Sequence, residues 1–336
     1  MMKRTVRGSA RVAAVVAFAF ALAACAGSGD DDKGDDKGSS GGMAAIKVGI
    51  SPAISAASIF QAMSDGGEFK DAGLHVTAEP VTSGAQAIPL MLNGQLQIIP
   101  SDPMTVAAAV AKGVPIQIIA QGSAFGDIPD TDITALVTKN GGPTDLADLE
   151  GKKVAVISLN HISIPGIRAA VDAAGGDSSK ITFVELPLPN MADAVARGQV
   201  AAALTAEPFL TPALQSGLKV LANPLSEEFA GLGQSVYVAT KEWAGGHEDE
   251  VNAFSKAIQD ASDQLADDPD QIRKLSAENT KLTPDQLSQI KLPSFSPTVV
   301  DMDKLQSLLD LMLKYGYLDS PLKASELVNP AAISGG

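Results

Sequence analysis

The chain has 336 residues, 45% hydrophobic and 19% charged, which suits about two globular domains of ~100–200 residues rather than a disordered chain. A formal net charge of −14 argues against nucleic acid as a partner, since phosphate binding runs on an excess of Lys and Arg. One Cys excludes a disulfide framework, a zinc ribbon and a CxxC redox pair, three His leave little for a metal cluster, and 4% aromatics leave little for recognition by ring stacking.

The chain opens on Lys3, Arg4, Arg7 and Arg11 with no acid, and residues 12–24 then follow without a polar side chain. Thirteen apolar residues are too few to span ~30 Å of hydrocarbon as a helix, but they fit the apolar region of a secretory signal. The run ends Leu22-Ala23-Ala24-Cys25, which resembles a bacterial lipobox, so residues 1–24 are expected to be a lipoprotein signal peptide. Cys25 would carry the lipid, and two acyl chains hold a protein on a bilayer far better than one. Residues 25–45 continue as an acidic, glycine-rich stretch whose sparse apolar bulk cannot offset ordering entropy, and they read as a flexible tether. The expected location is extracytoplasmic, anchored to the cell membrane through Cys25, with no spanning segment in the mature chain.

From residue 46, short apolar runs alternate with helical ones. Strands are expected at 46–50, 75–81, 96–99 and 116–120, with helices at 55–63, 85–92 and 104–111 stopped by Gly66/Gly67, Gly94 and Gly113. The theme restarts with strands at 133–138, 153–157, 181–186, 201–205 and 236–240 and helices at 164–174 and 191–197. Alternation of this kind implies parallel βαβ units and doubly wound α/β sheets. After Trp243 the chain turns helical, with Val251, Phe254, Ile258, Ala261 and Leu265 on one face. Asp268-Pro269 and Thr283-Pro284-Asp285-Gln286 read as helix starts, and Met302, Leu305, Leu308, Leu309 and Met312 line a last helix closed by Gly316.

Three stretches in this order, KVGISPAISAASIFQAMSDGGEFKDAGLHVTAEPVTSGAQAIPLMLNGQLQIIPSDPMTVAAAVAKGVPIQIIA, LADLEGKKVAVISLN and DAVARGQVAAALTAEPFLTPALQSGLKVL, resemble one family. It is that of the extracytoplasmic solute-binding proteins of nitrate/sulfonate/taurine-type ABC importers, which is similar also to binding proteins for thiamine-pyrimidine precursors. The resemblance implies a type II periplasmic-binding-protein fold, with two α/β lobes joined by two crossing segments and a helical C-terminus. On that fold, residues 46–132 and 241–330 form lobe I, residues 133–240 form lobe II, and hinges lie near 132–138 and 234–241. The family usually carries Asp where Gln97 and Ala201 stand, both at strand entries, where a structural consequence is expected.

In open α/β sheets, ligands sit outside the carboxyl ends of the strands, where helix N-termini offer unpaired N–H groups and partial positive charge. The loops at those ends supply Ser51, Ser55, Ser58, Ser83, Gly84, Gln86, Ser101, Asp102 and Gln121 from the first lobe. Ser158, Asn160, His161, Ser163, Thr205 and Glu207 come from the second. Each Ser or Thr could equally be a plain helix cap. Because Asp102 and Glu207 are the acids of these loops and the one basic residue near them is Arg168, one turn into a helix, the ligand is expected to be a neutral or cationic nitrogenous molecule, such as a pyrimidine-like one. An anionic sulfonate or nitrate stays open as the alternative. No metal, cofactor or catalytic residue is expected: G-x-S-x-G, H-E-x-x-H and Walker patterns are absent from the sequence. The expected partners are the solute, an ABC permease and the membrane through the lipid, with the protein itself a monomer. A lipid-anchored enzyme and a ligand sensor of the same fold are the competing readings.

Overall fold

The computed structural model describes residues 44–126 and 132–333. The expected signal peptide, Cys25 and nearly all of the tether lie outside the described residues. The described strands are β1 Ala44–Ile50, β2 Leu74–Pro80, β3 Ile98–Ser101, β4 Ile116–Gln121, β5 Thr134–Thr138, β6 Lys153–Val156, β7 Thr182–Glu185, β8 Ala202–Ala206, β9 Lys219–Ala222 and β10 Val236–Thr240. β1 takes in the last two residues of the expected tether, because Ala44 and Ala45 pair with Leu74 and His75 of β2.

Two five-stranded sheets result, ordered β2-β1-β3-β10-β4 and β7-β6-β8-β5-β9. Both are mixed rather than purely parallel. β10 runs antiparallel to β3 and β4, and β5 runs antiparallel to β8 and β9. Strand 236–240 was expected to close the second lobe, yet its backbone pairs within the first sheet, so the return crossing precedes it. Strand β9 was not expected. Its exposed Lys219 and Val220 give the short segment little apolar pattern, and pairing with β5 defines it.

Helices pack on both faces of each sheet. Helix Gly84–Leu92 and helix Pro103–Ala111 end where Gly94 and Gly113 turn left-handed at φ +77° and +82°, a conformation that only Gly adopts without strain. Helix Glu248–Ala266 buries Val251, Phe254, Ile258, Ala261 and Leu265 against the first sheet. Phe254 lies between the rings of Phe69 and Tyr237, with centroids 5.1 and 5.5 Å away. Thr283 and Gln286 form the expected capping box of helix Pro284–Gln289. No helix among the described residues is long and apolar enough to cross a membrane.

The departures from the family pattern have a local outcome. The Gln97 amide oxygen accepts from Lys47 N–H at 2.9 Å, and its nitrogen donates to the Gly94 carbonyl at 3.3 Å, so the amide locks the entry of β3 to β1. At Ala201 the carbonyl accepts from the Thr138 hydroxyl at 3.2 Å, and the N–H donates to Lys153 O at 2.8 Å.

The two crossings lie side by side. Gly122 N–H donates to Ser235 O at 2.8 Å, Phe125 N–H to Leu232 O at 3.0 Å and Gln234 N–H to Ser123 O at 2.8 Å. Ala124 also donates to Ser294 O at 2.9 Å, which adds a third segment to this ribbon. The C-terminal arm is tied to β4 by Ile118 N–H to Leu327 O, 2.7 Å, and Asn329 N–H to Ile118 O, 2.8 Å. Its helix Met302–Lys314 buries Leu305, Leu308, Leu309 and Met312, each contributing ~1.5–3 kcal/mol on burial. This arm also reaches the second lobe, where the Tyr315 hydroxyl donates to Asp172 at 2.8 Å. One apolar cluster accordingly runs from Val106 through Leu308 to Ile164 and Ile167, so the lobes are packed together.

Candidate solute-binding cleft

A cavity of about 120 Å³ lies between the lobes at the carboxyl ends of the strands. Wider grooves elsewhere, about 830 Å³ near Glu68 and Asp260 and about 850 Å³ near Lys139 and Lys152, lie on the outer surface away from those ends. The interlobe cavity is where an α/β fold gathers helix N-termini and loop side chains from both halves. Its wall includes Asp102 after β3, Phe125 after β4, Thr134 on β5, Ile157 and His161 after β6, Thr205 and Ala206 at the end of β8, and Gln234 on the return crossing.

Asp102 caps helix Pro103–Ala111, accepting from Thr105 N–H at 2.9 Å and from the Thr105 hydroxyl at 2.6 Å. This fixes its carboxylate at the first lobe's edge of the cavity. His161 stands opposite, at the start of helix Ser163–Ala173. Its Nδ1 accepts from Ser163 N–H at 3.2 Å and lies 3.0 Å from the Ser163 hydroxyl, which leaves the ring proton on Nε2. Burial pushes the imidazole pKa below its ordinary value against the pull of the Asp102 carboxylate, so the ring is neutral at pH 7. Thr205 is 1% exposed, and its hydroxyl has no partner. The buried Oε1 of Gln234 has none either. Buried polar atoms without a protein partner call for strain, a bound water or a ligand, and these two are on cavity residues.

Below the cavity, Asp132 anchors the first crossing. At 2% exposure it accepts from Thr134 N–H and hydroxyl, both at 2.9 Å, and from the Ser226 hydroxyl. Burial raises its carboxyl pKa despite these bonds and the attraction of Lys291.

Of the residues expected from the sequence, Asp102, His161 and Thr205 meet at the cavity wall. Ser163 supports His161 from behind. Ser101 and Gly84 pack on each other: a Cβ on Gly84 would sit 2.8 Å from Ser101 Cα, so Gly permits that approach. Gln121 is fully buried on the hinge ribbon, donating to Pro297 O at 2.6 Å. Glu207 clasps three donors, Thr211 hydroxyl at 2.6 Å, Thr211 N–H at 3.2 Å and Lys291 N–H at 3.2 Å. Its carboxylate is thus committed to protein groups. Ser51, Ser55, Ser58, Ser83, Gln86, Ser158 and Asn160 do not line the cavity. Ser83 caps helix Gly84–Leu92 by accepting from Gln86 N–H at 3.3 Å, Ser158 accepts from Asn160 N–H at 3.2 Å, and Ser58 is buried within helix Ala57–Ala62. Gln234 and Thr134 were missed. Both fall within the expected hinge segments 132–138 and 234–241, and no local pattern marks their side chains as facing the cavity.

Residues 57–272 match the family described as NMT1/THI5 like. The chain is 30% identical over 233 residues to the taurine-binding periplasmic protein of Escherichia coli (strain K12), covering 67% of this chain and 68% of that protein. The structure is similar to the periplasmic aliphatic sulphonate binding protein of Escherichia coli, with a TM-score of 0.69 and 17% identity over 87% of this chain and 94% of that one. It is similar also to the periplasmic nitrate-binding protein of Synechocystis PCC 6803, with a TM-score of 0.67 and 14% identity over 86% of each chain. With this two-lobed α/β fold and this sequence match, the chain belongs to the NMT1/THI5-like family, as a solute-binding protein rather than an enzyme.

Proposed function

We propose that the protein captures a small amine-bearing organic solute between its lobes and delivers it to the permease of an ABC importer, working as a monomer tethered to the membrane through a lipid on Cys25. The observation that carries the solute class is the composition of the cavity wall. Asp102, Thr205 and Gln234 bring oxygens to it, and neither Lys nor Arg is among the lining residues. Such a wall suits an ammonium or amide N–H group, while the Nε2–H of neutral His161 can serve an acceptor at the other end of the same molecule. Aminosulfonates such as taurine, the ligand named for the Escherichia coli relative, have both ends. The lipid anchor is supported by the L-A-A-C run behind a basic and apolar leader.

Calorimetry with taurine, ethanolamine and ethanesulfonate tests the solute class. Taurine and ethanolamine should bind more tightly than ethanesulfonate, which lacks the amine. Binding of ethanesulfonate alone would replace this reading with that of a purely anionic solute. For the anchor, Cys25→Ala should move the protein from the membrane fraction to the soluble one; retention on the membrane without detergent would overturn it.

A further inference from the structure

Gln234 has a position that no other cavity residue shares. It sits on the return crossing, between Gly233, which bridges to Ala124, and Ser235, whose carbonyl accepts from Gly122. Its own N–H and that of Ser235 both donate to Ser123 O, at 2.8 and 3.1 Å. The backbone that carries the side chain is therefore fixed by the hinge itself. The side chain lines the cavity together with Asp102 of one lobe and His161 and Thr205 of the other. Its Oε1 is buried and accepts from no protein group, so its donor is a water or a solute. The neighbouring Thr205 hydroxyl is likewise sealed and unpaired.

We infer that Gln234 is a specificity-determining residue of the cleft, its Oε1 accepting a hydrogen bond from an N–H of the solute at the hinge. This rests on the amine reading given above and goes beyond it by naming the group that discriminates. A solute with the N–H satisfies an oxygen that the closed protein otherwise leaves unpaired. A solute lacking it leaves the oxygen stranded in a dry site, which is the stronger form of discrimination.

The test compares wild-type protein with Gln234→Leu and Gln234→Glu, using taurine and ethanesulfonate as probes in calorimetry and thermal melting as the control for folding. Leu removes the acceptor but leaves the backbone bond to Ser123 in place. Gln234→Leu should lose about tenfold or more in taurine affinity, the worth of one hydrogen bond, and narrow the taurine-to-ethanesulfonate ratio by the same factor. Gln234→Glu retains an acceptor and should keep or widen that ratio. If wild type prefers taurine and both variants keep the wild-type ratio, the Gln234 assignment is overturned while the amine reading stands. If wild type itself shows no preference for taurine over ethanesulfonate, both fall together. Should Gln234→Leu melt early, Gln234→Met, which removes the carbonyl acceptor at nearly the same length, takes its place: a narrowed taurine-to-ethanesulfonate ratio supports the assignment and a wild-type ratio overturns it.

Discussion

Replacing Tyr315 by Phe removes one oxygen from a contact that joins the C-terminal arm to the second lobe. The arm is held to the first lobe through β4, and the Tyr315 hydroxyl donates to Asp172, on helix Ser163–Ala173, at 2.8 Å. Burial alone would raise the Asp172 pKa. Bonds from Ser178 and Tyr315 and the nearby Lys314 outweigh it and hold the carboxyl below its ordinary value, so the acceptor is charged at neutral pH. Lys314 lies 3.5 Å from the same carboxylate, but with side chains 56% and 32% exposed that ion pair contributes little. The ring would stay in place, since Arg168 stacks over it at 5.7 Å and Phe presents the same face. What is lost is one partly buried bond to a carboxylate, about 1 kcal/mol net. If the bond exists only when the lobes are packed together, the closed-to-open ratio falls about fivefold. Apparent taurine affinity then weakens by a similar factor, because the competent fraction scales it. Small-angle scattering of the solute-free protein, or a fluorophore pair on Ser64 and Asp177, one probe in each lobe, should report a larger separation, and calorimetry the weaker binding. Wild-type lobe separation and affinity, with only a lower melting temperature, would refute the latch and leave the contact as ordinary stability.

Glu207→Ala strands Thr211 N–H and Lys291 N–H beside a site 7% exposed and should cost about 2–4 kcal/mol, lowering the melting temperature by roughly 5–10 °C; an unchanged melting temperature with abolished solute binding would instead place Glu207 on the solute. For His161, whose folded pKa is depressed by burial, the folded state binds fewer protons than the unfolded one, so its contribution to stability is present above the unfolded pKa of about 6.5 and is lost as pH falls below it. His161→Gln should flatten that acid-side decline in chemical-denaturation curves between pH 7 and 5, and an identical slope in both proteins would contradict the buried neutral ring.

Local patterning marked most elements because their causes are local. The apolar runs of β1, β4 and β6, the caps at Asp102, Asp268 and Thr283, and the glycine stops at 94, 113 and 316 are short-range features that the backbone obeys wherever the chain goes next. Asp102, His161 and Thr205, which line the cavity, were legible as strand-end residues for the same reason: each follows or ends a strand that the sequence could locate. Pairing is not local. VYVAT reads identically whether it closes the second sheet or inserts antiparallel between β3 and β4, and its pairing with residues roughly 115–140 positions earlier settles the matter. That placement ends the return crossing, expected at 234–241, by residue 235, with Gln234 on it at the cavity wall. Glu207 shows the converse. Its position at a strand end suggested a ligand contact, yet the fold brings Thr211 and the backbone of Lys291 to its oxygens, a partner 84 residues away that no spacing rule could announce. The sequence by itself determined which segments are strands and helices and which small polar side chains lie at strand ends. The tertiary structure alone decided which of those side chains are consumed by the protein and which remain for a solute, because a hydrogen bond is allotted by what the folded chain brings within 3 Å of it.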